Sequence, residues 1–351
     1  MLAQPLTRIH VPRFPDTRYM GSKRDLLDFI WHAVEPLRFD TVLDAFSGSG
    51  CVAYMFKAHG KTVTANDHLE YAYHIANASI ANNCERLNDS DIALLLKHNR
   101  HRKKFIQRTF RRLYFADEEN KFLDNVCSNI PALASGHKRS LAVASLCRAC
   151  IKRRPRGVFT YVGLNKYDDG RRDLRMSLQD HFLRAISEFN TAVFDNGQMN
   201  RAYNEDIFDL NIPRPDLVYI DPPYVTPHSD NDYLRRYHFV EGLASYWSGG
   251  RVEILHHTKT KKLRKYPTPF DRKRTIHEAF DRLFQKFAKS KLVVSYSSNS
   301  IPTKEEMKAL LRNHRKEVHI ERLRHRYSFG TYNHKINNPT NVVNEYLFIA
   351  V

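Results

Sequence analysis

The order of apolar and helix-like segments between Thr41 and Asn82 limits the folds open to this chain more than any other feature. An apolar run (Thr41 to Ala45) enters a Gly-containing turn and a helical pattern to His59. A second short run (Thr62 to Ala65) then leads to an Ala-rich, helix-like stretch from Tyr71 through Ala81. Short apolar runs bounded by turn signals read as buried strands, and a strand–helix–strand–helix order calls for parallel pairing, because parallel neighbours need a crossover. The expected class is therefore α/β, a mostly parallel sheet with helices on both faces. Further runs at Asp216 to Ile220, Leu292 to Tyr296 and Glu345 to Val351 read as more buried strands, although periodicity does not exclude a helix for runs this short.

Between these runs the chain changes character. Residues 84–195 read as mostly helical and basic, with Arg, Lys and aromatic residues interleaved. The formal net charge is +18, and Lys97 to Arg112 holds eight Lys or Arg and no acid, with a second basic stretch from Lys259 to Arg274. A polyanionic partner fits such clustering, because each phosphate neutralised releases counterions. A solvated basic surface is the plainer alternative, and charge alone does not separate DNA from RNA. Five scattered cysteines suggest reduced thiols in an intracellular setting. Cys147 and Cys150 form a lone CxxC with no second pair at zinc spacing, so no metal site is expected and one helix face is the simpler reading. No apolar run is long enough for a membrane span, and the N-terminus lacks a signal pattern.

The most specific chemistry is carried by Asp221-Pro222-Pro223-Tyr224, directly after the run Asp216 to Ile220. Two prolines fix φ and remove two backbone donors, so carbonyls point outward without competing N–H groups. An amino-group substrate suits this arrangement: one hydrogen to the Asp221 carboxylate, the other to the Pro222 carbonyl, and a flat ring on Tyr224. In an open parallel sheet, the carboxyl end of a strand is also where ligands bind.

A second turn, Asp44-Ala45-Phe46-Ser47-Gly48-Ser49-Gly50, stands at another strand-to-helix transition, and its glycines let a ligand approach the backbone. Such a pair is weak alone, and Ala53 stands where a dinucleotide fingerprint has its third glycine, a position that admits Ala. Asn66-Asp67-His68 ends the next strand, about 20 residues on, where a carboxylate accepts from ribose hydroxyls. Capping the helix that follows is the alternative role for Asp67. Asn204-Glu205-Asp206-Ile207-Phe208 offers a carboxylate for an adenine amino group, and Arg18-Tyr19-Met20-Gly21-Ser22-Lys23 precedes an amphipathic stretch.

Taken together, in this order, these motifs resemble the α-order, Dam-like class of DNA adenine-N6 methyltransferases, closest in style to type IIS modification enzymes. Tyr237 to Leu243, Ser295 to Asn299, Tyr327 to Thr331 and Glu345 to Leu347 extend the resemblance over nearly the whole chain. It implies S-adenosyl-L-methionine as cofactor, met by Tyr19, Met20, Gly21, Lys23, Asp44, Ala45, Phe46, Ser47, Gly48, Gly50, Asp67, His68, Asp206 and Ile207. The methionine part would lie near Tyr19, Lys23 and the Phe46 turn, and the adenosine near Asp67 and Asp206. Catalysis would fall to Asp221, Pro222, Pro223 and Tyr224, acting on an adenine flipped out of double-stranded DNA. Residues 1–83 and 196–351 would form the catalytic domain and 84–195 a target-recognition insertion, with Arg153, Arg154, Arg156, Lys259 and Lys261 touching DNA and Phe159 and Tyr161 beside them. A monomer in the cytoplasm, associated with the nucleoid and accompanied by a cognate restriction endonuclease, completes the expectation. An RNA adenine-N6 methyltransferase and a non-catalytic nucleic-acid-binding module remain as alternatives. Protein-glutamine methylation is disfavoured, since Asn usually replaces the Asp of that tetrapeptide and the basicity would be unexplained.

Overall fold

The computed structural model describes residues 12–163, 172–225, 233–249, 252–266, 268–326 and 342–351; Tyr327 to Thr331 lie outside the described residues. One sheet holds β1 (Thr41–Asp44), β2 (Thr62–Asn66), β3 (Arg201–Tyr203), β4 (Leu217–Ile220), β5 (Lys291–Ser297), β6 (Val318–Arg326) and β7 (Val342–Ala350), in the order β3-β2-β1-β4-β5-β7-β6. The first five strands in that order run parallel, and β7 is antiparallel to both β5 and β6. The chain moves from β1 towards one edge and from β4 towards the other, so the strand order reverses between β1 and β4. Their carboxyl ends therefore open a crevice at the topological switch point. The register pairs Asp44 with Tyr219, which sets Asp44 beside the end of β4, two residues before Asp221.

Alternation along the central strands divides the core in two. Val42, Leu217, Tyr219 and Val293 face α1 (Leu27–Val34) and α2 (Cys51–Ala58). Leu43, Val218, Ile220, Leu292 and Val294 face α11 (Ile276–Lys286) and α12 (Lys304–Arg312). Both faces of these strands are covered, which is why they read as unbroken apolar runs.

A third apolar cluster joins α3 (Glu70–Ala76) to the helices of the basic stretch. These are α4 (Asp89–Leu96), α5 (Phe105–Thr109), α6 (Asp117–Asn129), α7 (Gly136–Arg153), α8 (Arg172–Arg175) and α9 (Leu178–Ala192), with α10 (Tyr233–Ala244) closing the layer. Cys147 and Cys150 lie buried on α7, one turn apart, as the helix-face reading expects. Glu241 on α10 ties this layer to the sheet. The N-cap residue of α3, Leu69, offers no side-chain acceptor, and the Glu241 carboxylate accepts from the Glu70 and Tyr71 amides instead, at 2.9 and 3.2 Å. Tyr266 donates to the same carboxylate at 3.1 Å. Among the described residues, no helix is long and apolar enough to cross a membrane.

Candidate active site

The crevice between the ends of β1 and β4 is lined by three separated stretches that the sequence singled out: Tyr19 to Lys23, the Asp44 turn and Asp221 to Tyr224. Asp67 and His68 lie beside them. The first stretch reaches the crevice because Gly21 and Arg18 adopt positive φ, and the Met20 amide donates to the Tyr237 hydroxyl at 2.9 Å. Tyr19 stacks near Tyr71, Tyr233 and Tyr237, with ring centroids 5.9, 5.6 and 5.5 Å away. Tyr237 thus has a visible role in the segment from Tyr237 to Leu243.

The glycine turn is built for close approach. Gly48 has φ of +46°, and a side chain there would meet the Tyr19 ring at 3.1 Å. Gly50, in the left-handed region, precedes α2 as its N-cap. Asp67 holds the turn open, accepting from the Gly48 amide at 2.7 Å through one oxygen and from the Leu69 amide at 2.8 Å through the other. Burial outweighs these bonds and pushes its carboxyl up to about 6. Asn66 joins three strand ends, donating to the Ala45 and Glu205 carbonyls and accepting from the Glu205 amide.

Asp44 stands apart. Both its oxygens are buried and close no hydrogen bond among the described residues. Burial above all, then the nearby Asp221 and Asp67 charges, raises its carboxyl to about 8, against a partial opposing pull from the Phe46 and Ala53 amides. A buried carboxyl that closes no hydrogen bond is costly to the fold.

At the end of β4, Lys23 Nζ lies 2.9 Å from Asp221 Oδ1 and 2.8 Å from Oδ2. The Tyr224 hydroxyl is 3.0 Å from Asp221 Oδ1 and 2.6 Å from Glu345 Oε1. Burial raises the Asp221 carboxyl, and the Lys23 ammonium holds it down in part. Sequence reasoning placed Lys23 with the cofactor and gave Glu345 no role. Sequence separations of 198 between Lys23 and Asp221 and 121 between Tyr224 and Glu345 leave no local signal of these contacts. Asp271 was also missed: it is buried, lines the crevice and pairs with Lys265 at 2.9 Å.

The structure places several of the expected site residues away from the crevice or from the surface. Asp206 accepts from the Phe208 amide at 2.9 Å within the turn after β3, and Ile207 is buried against the α11 face; neither is among the described residues that line the crevice. Ala45 is buried below the turn, its amide bonded to the Tyr219 carbonyl. Arg154 is no DNA contact. It is 1% exposed, and its guanidinium donates to the Tyr114, Gly163 and Tyr161 carbonyls. Phe159 is equally buried, stacked on Phe239. Arg153 is half-buried and held by Glu119 and the Leu174 carbonyl. Arg156 follows in the 3-10 turn Pro155–Gly157. Lys259 is exposed and Lys261 half-buried, and seven of the eight basic residues from Lys97 to Arg112 are exposed.

Comparison with known proteins identifies relatives of the chain. Residues 19–310 match the family described as D12 class N6 adenine-specific DNA methyltransferase. The chain is 32% identical over 329 residues to type II methyltransferase M2.HphI of Haemophilus parahaemolyticus, covering 88% of this chain and 91% of that protein. It is 27% identical to type II methyltransferase M.FokI of Planomicrobium okeanokoites and 26% identical to modification methylase StsI of Streptococcus sanguinis, covering 85% and 84% of this chain. It spans about half the length of these two, 47% and 46%.

Proposed function

The chain belongs to the D12 class N6 adenine-specific DNA methyltransferases, and from that premise we propose that the β1–β4 crevice binds S-adenosyl-L-methionine and presents a flipped adenine to it. The observation that carries this reading is the Asp44 carboxyl, buried in the crevice beside Gly48 with both oxygens closing no hydrogen bond among the described residues. Asp44 is fitted to hold an α-ammonium group and Asp67 to accept from ribose hydroxyls, with Tyr19, Met20, Gly21, Phe46, Ser47, Gly48 and His68 enclosing them. When bound, the cofactor supplies a sulfonium methyl.

The remaining work falls to residues of this chain. An exocyclic amino nitrogen is a poor nucleophile because its lone pair is delocalised into the ring. Asp221 and the Pro222 carbonyl each accept one of its hydrogens, which holds the nitrogen in line and favours a tetrahedral geometry. Pro223 keeps the turn rigid and Tyr224 offers a stacking face. The base must leave the duplex to reach them, at a cost of a few kcal/mol that phosphate contacts and stacking offset. Those contacts are assigned to the 84–195 insertion, chiefly its exposed run from Lys97 to Arg112, and to Lys259 and Lys261. The names of the similar proteins, type II methyltransferase and modification methylase, support a modification role; a companion restriction endonuclease and a cytoplasmic monomer belong to the same proposal.

Single-molecule sequencing of DNA from cells expressing the chain tests this reading. N6-methyladenine at one recurring sequence is expected. DNA free of the mark, with methyl transfer confined to RNA, contradicts it.

A further inference from the structure

Glu345 lies on β7, in register with Ser297 of β5, and is 1% exposed. Three groups meet its Oε1: the Tyr224 hydroxyl at 2.6 Å, the Ser295 hydroxyl at 2.9 Å and Lys23 Nζ at 3.5 Å. Lys23, itself 3% exposed, stands between two carboxylates and is closer to Asp221. Both Asp221 oxygens are therefore covered by a buried ammonium, at the acceptor sites a base amino group has to reach. An incoming N–H competes with Lys23 for those sites, and a buried ammonium is costly to leave without a carboxylate.

We infer that Glu345 is a positioning residue that takes Lys23 over from Asp221 as the target adenine arrives. The inference rests on the assignment of Asp221 to the amino group. The transfer is short: shortening the Lys23–Glu345 contact to charge-assisted hydrogen-bond length needs a shift on the order of 1 Å. It also keeps the ammonium in a low-dielectric site paired throughout, so no unpaired charge forms while Asp221 turns to its substrate. Glu345 holds the Tyr224 hydroxyl as well, which sets the rival account, that it acts only as an anchor for the tyrosine ring.

The test measures single-turnover methyl transfer, cofactor affinity and melting temperature for wild type, Glu345→Gln, Tyr224→Phe and Asp221→Ala. Glu345→Gln is expected to slow transfer about 10- to 100-fold, the loss of one charge-assisted hydrogen bond made when the base is seated, with cofactor affinity unchanged. Tyr224→Phe, which keeps the ring and removes only the hydroxyl, is expected to slow transfer by clearly less than Glu345→Gln does. A wild-type rate for Glu345→Gln, or the full loss reproduced by Tyr224→Phe, overturns the inference. If Asp221→Ala keeps its rate, the Asp221 assignment itself fails, which separates the two failures. Should Glu345→Gln not fold, a ternary structure of the wild-type protein with duplex DNA and S-adenosylhomocysteine decides. Lys23 Nζ hydrogen-bonded to Glu345 and withdrawn from Asp221 supports the inference, and Lys23 still on both Asp221 oxygens overturns it.

Discussion

On the proposed reading, Asp44 sets stability against function in one side chain. Its carboxyl, raised to about 8 by burial and two neighbouring acids, is protonated in the unbound protein at neutral pH. Cofactor binding then has to expel that proton, so affinity should climb with pH towards 8 and fall beyond it as the ligand's own ammonium, titrating at about 8, loses its charge. Calorimetry across pH, in buffers of different ionisation heat, reads the released proton; binding without proton release near pH 6.5 would contradict the role given to Asp44. Stability of the unbound protein moves the other way. An acid raised on folding favours the fold below the unfolded carboxyl range and loses that contribution as pH rises through about 8. The melting temperature of Asp44→Asn relative to wild type should therefore rise between pH 5 and pH 8.5. Asp67 holds the Gly48 and Leu69 amides and is assigned the ribose hydroxyls, so Asp67→Ala should weaken cofactor binding by roughly 1.5 to 3 kcal/mol and also lower the melting temperature.

At the scale of the element, α3 depends on a residue from α10 for its N-terminal cap. Glu241→Ala leaves the Glu70 and Tyr71 amides without an acceptor in a buried setting and should cost about 1 to 2 kcal/mol in urea unfolding. Unchanged stability would mean that water replaces the carboxylate. What the sequence made legible follows from burial. β1, β2, β4, β5 and β7 were readable because they lie inside the sheet and bury apolar runs. β3 and β6 were not, and they are its two edges. β3 is three residues long with Arg201 exposed, and β6 places His319, Glu321, Arg322 and Arg324 in solvent, the charges with which an edge strand resists further pairing. The crevice was legible where a motif is local, as in the glycine turn and Asp221 to Tyr224. It was not where contacts arise between distant elements, as with the Lys23–Asp221 and Tyr224–Glu345 pairs and with Asp271. Arg154 misled for the converse reason: a basic run signals charge but not direction, and this guanidinium turns inward to serve carbonyls.

For the whole molecule, a net charge of +18 with Lys97 to Arg112 largely exposed should make DNA affinity fall steeply with salt. Replacing Arg108 or Lys259 by Ala should reduce the log–log slope by about one unit, equally for cognate and random duplexes. Arg154→Met should leave that slope unchanged and destabilise the fold by about 3 kcal/mol, since three carbonyls lose their donor. A salt-insensitive complex would put the basic face in solvent. The account as a whole stands on Asp221, where the sheet, the glycine turn and the N-terminal segment converge. Its most direct test is single-turnover transfer of a tritiated methyl group to duplex DNA by Asp221→Ala, with cofactor and DNA affinities measured on the same preparation. A fall in rate of at least about 1,000-fold with both affinities within a few fold of wild type is the predicted result; methylation at the wild-type rate would contradict it.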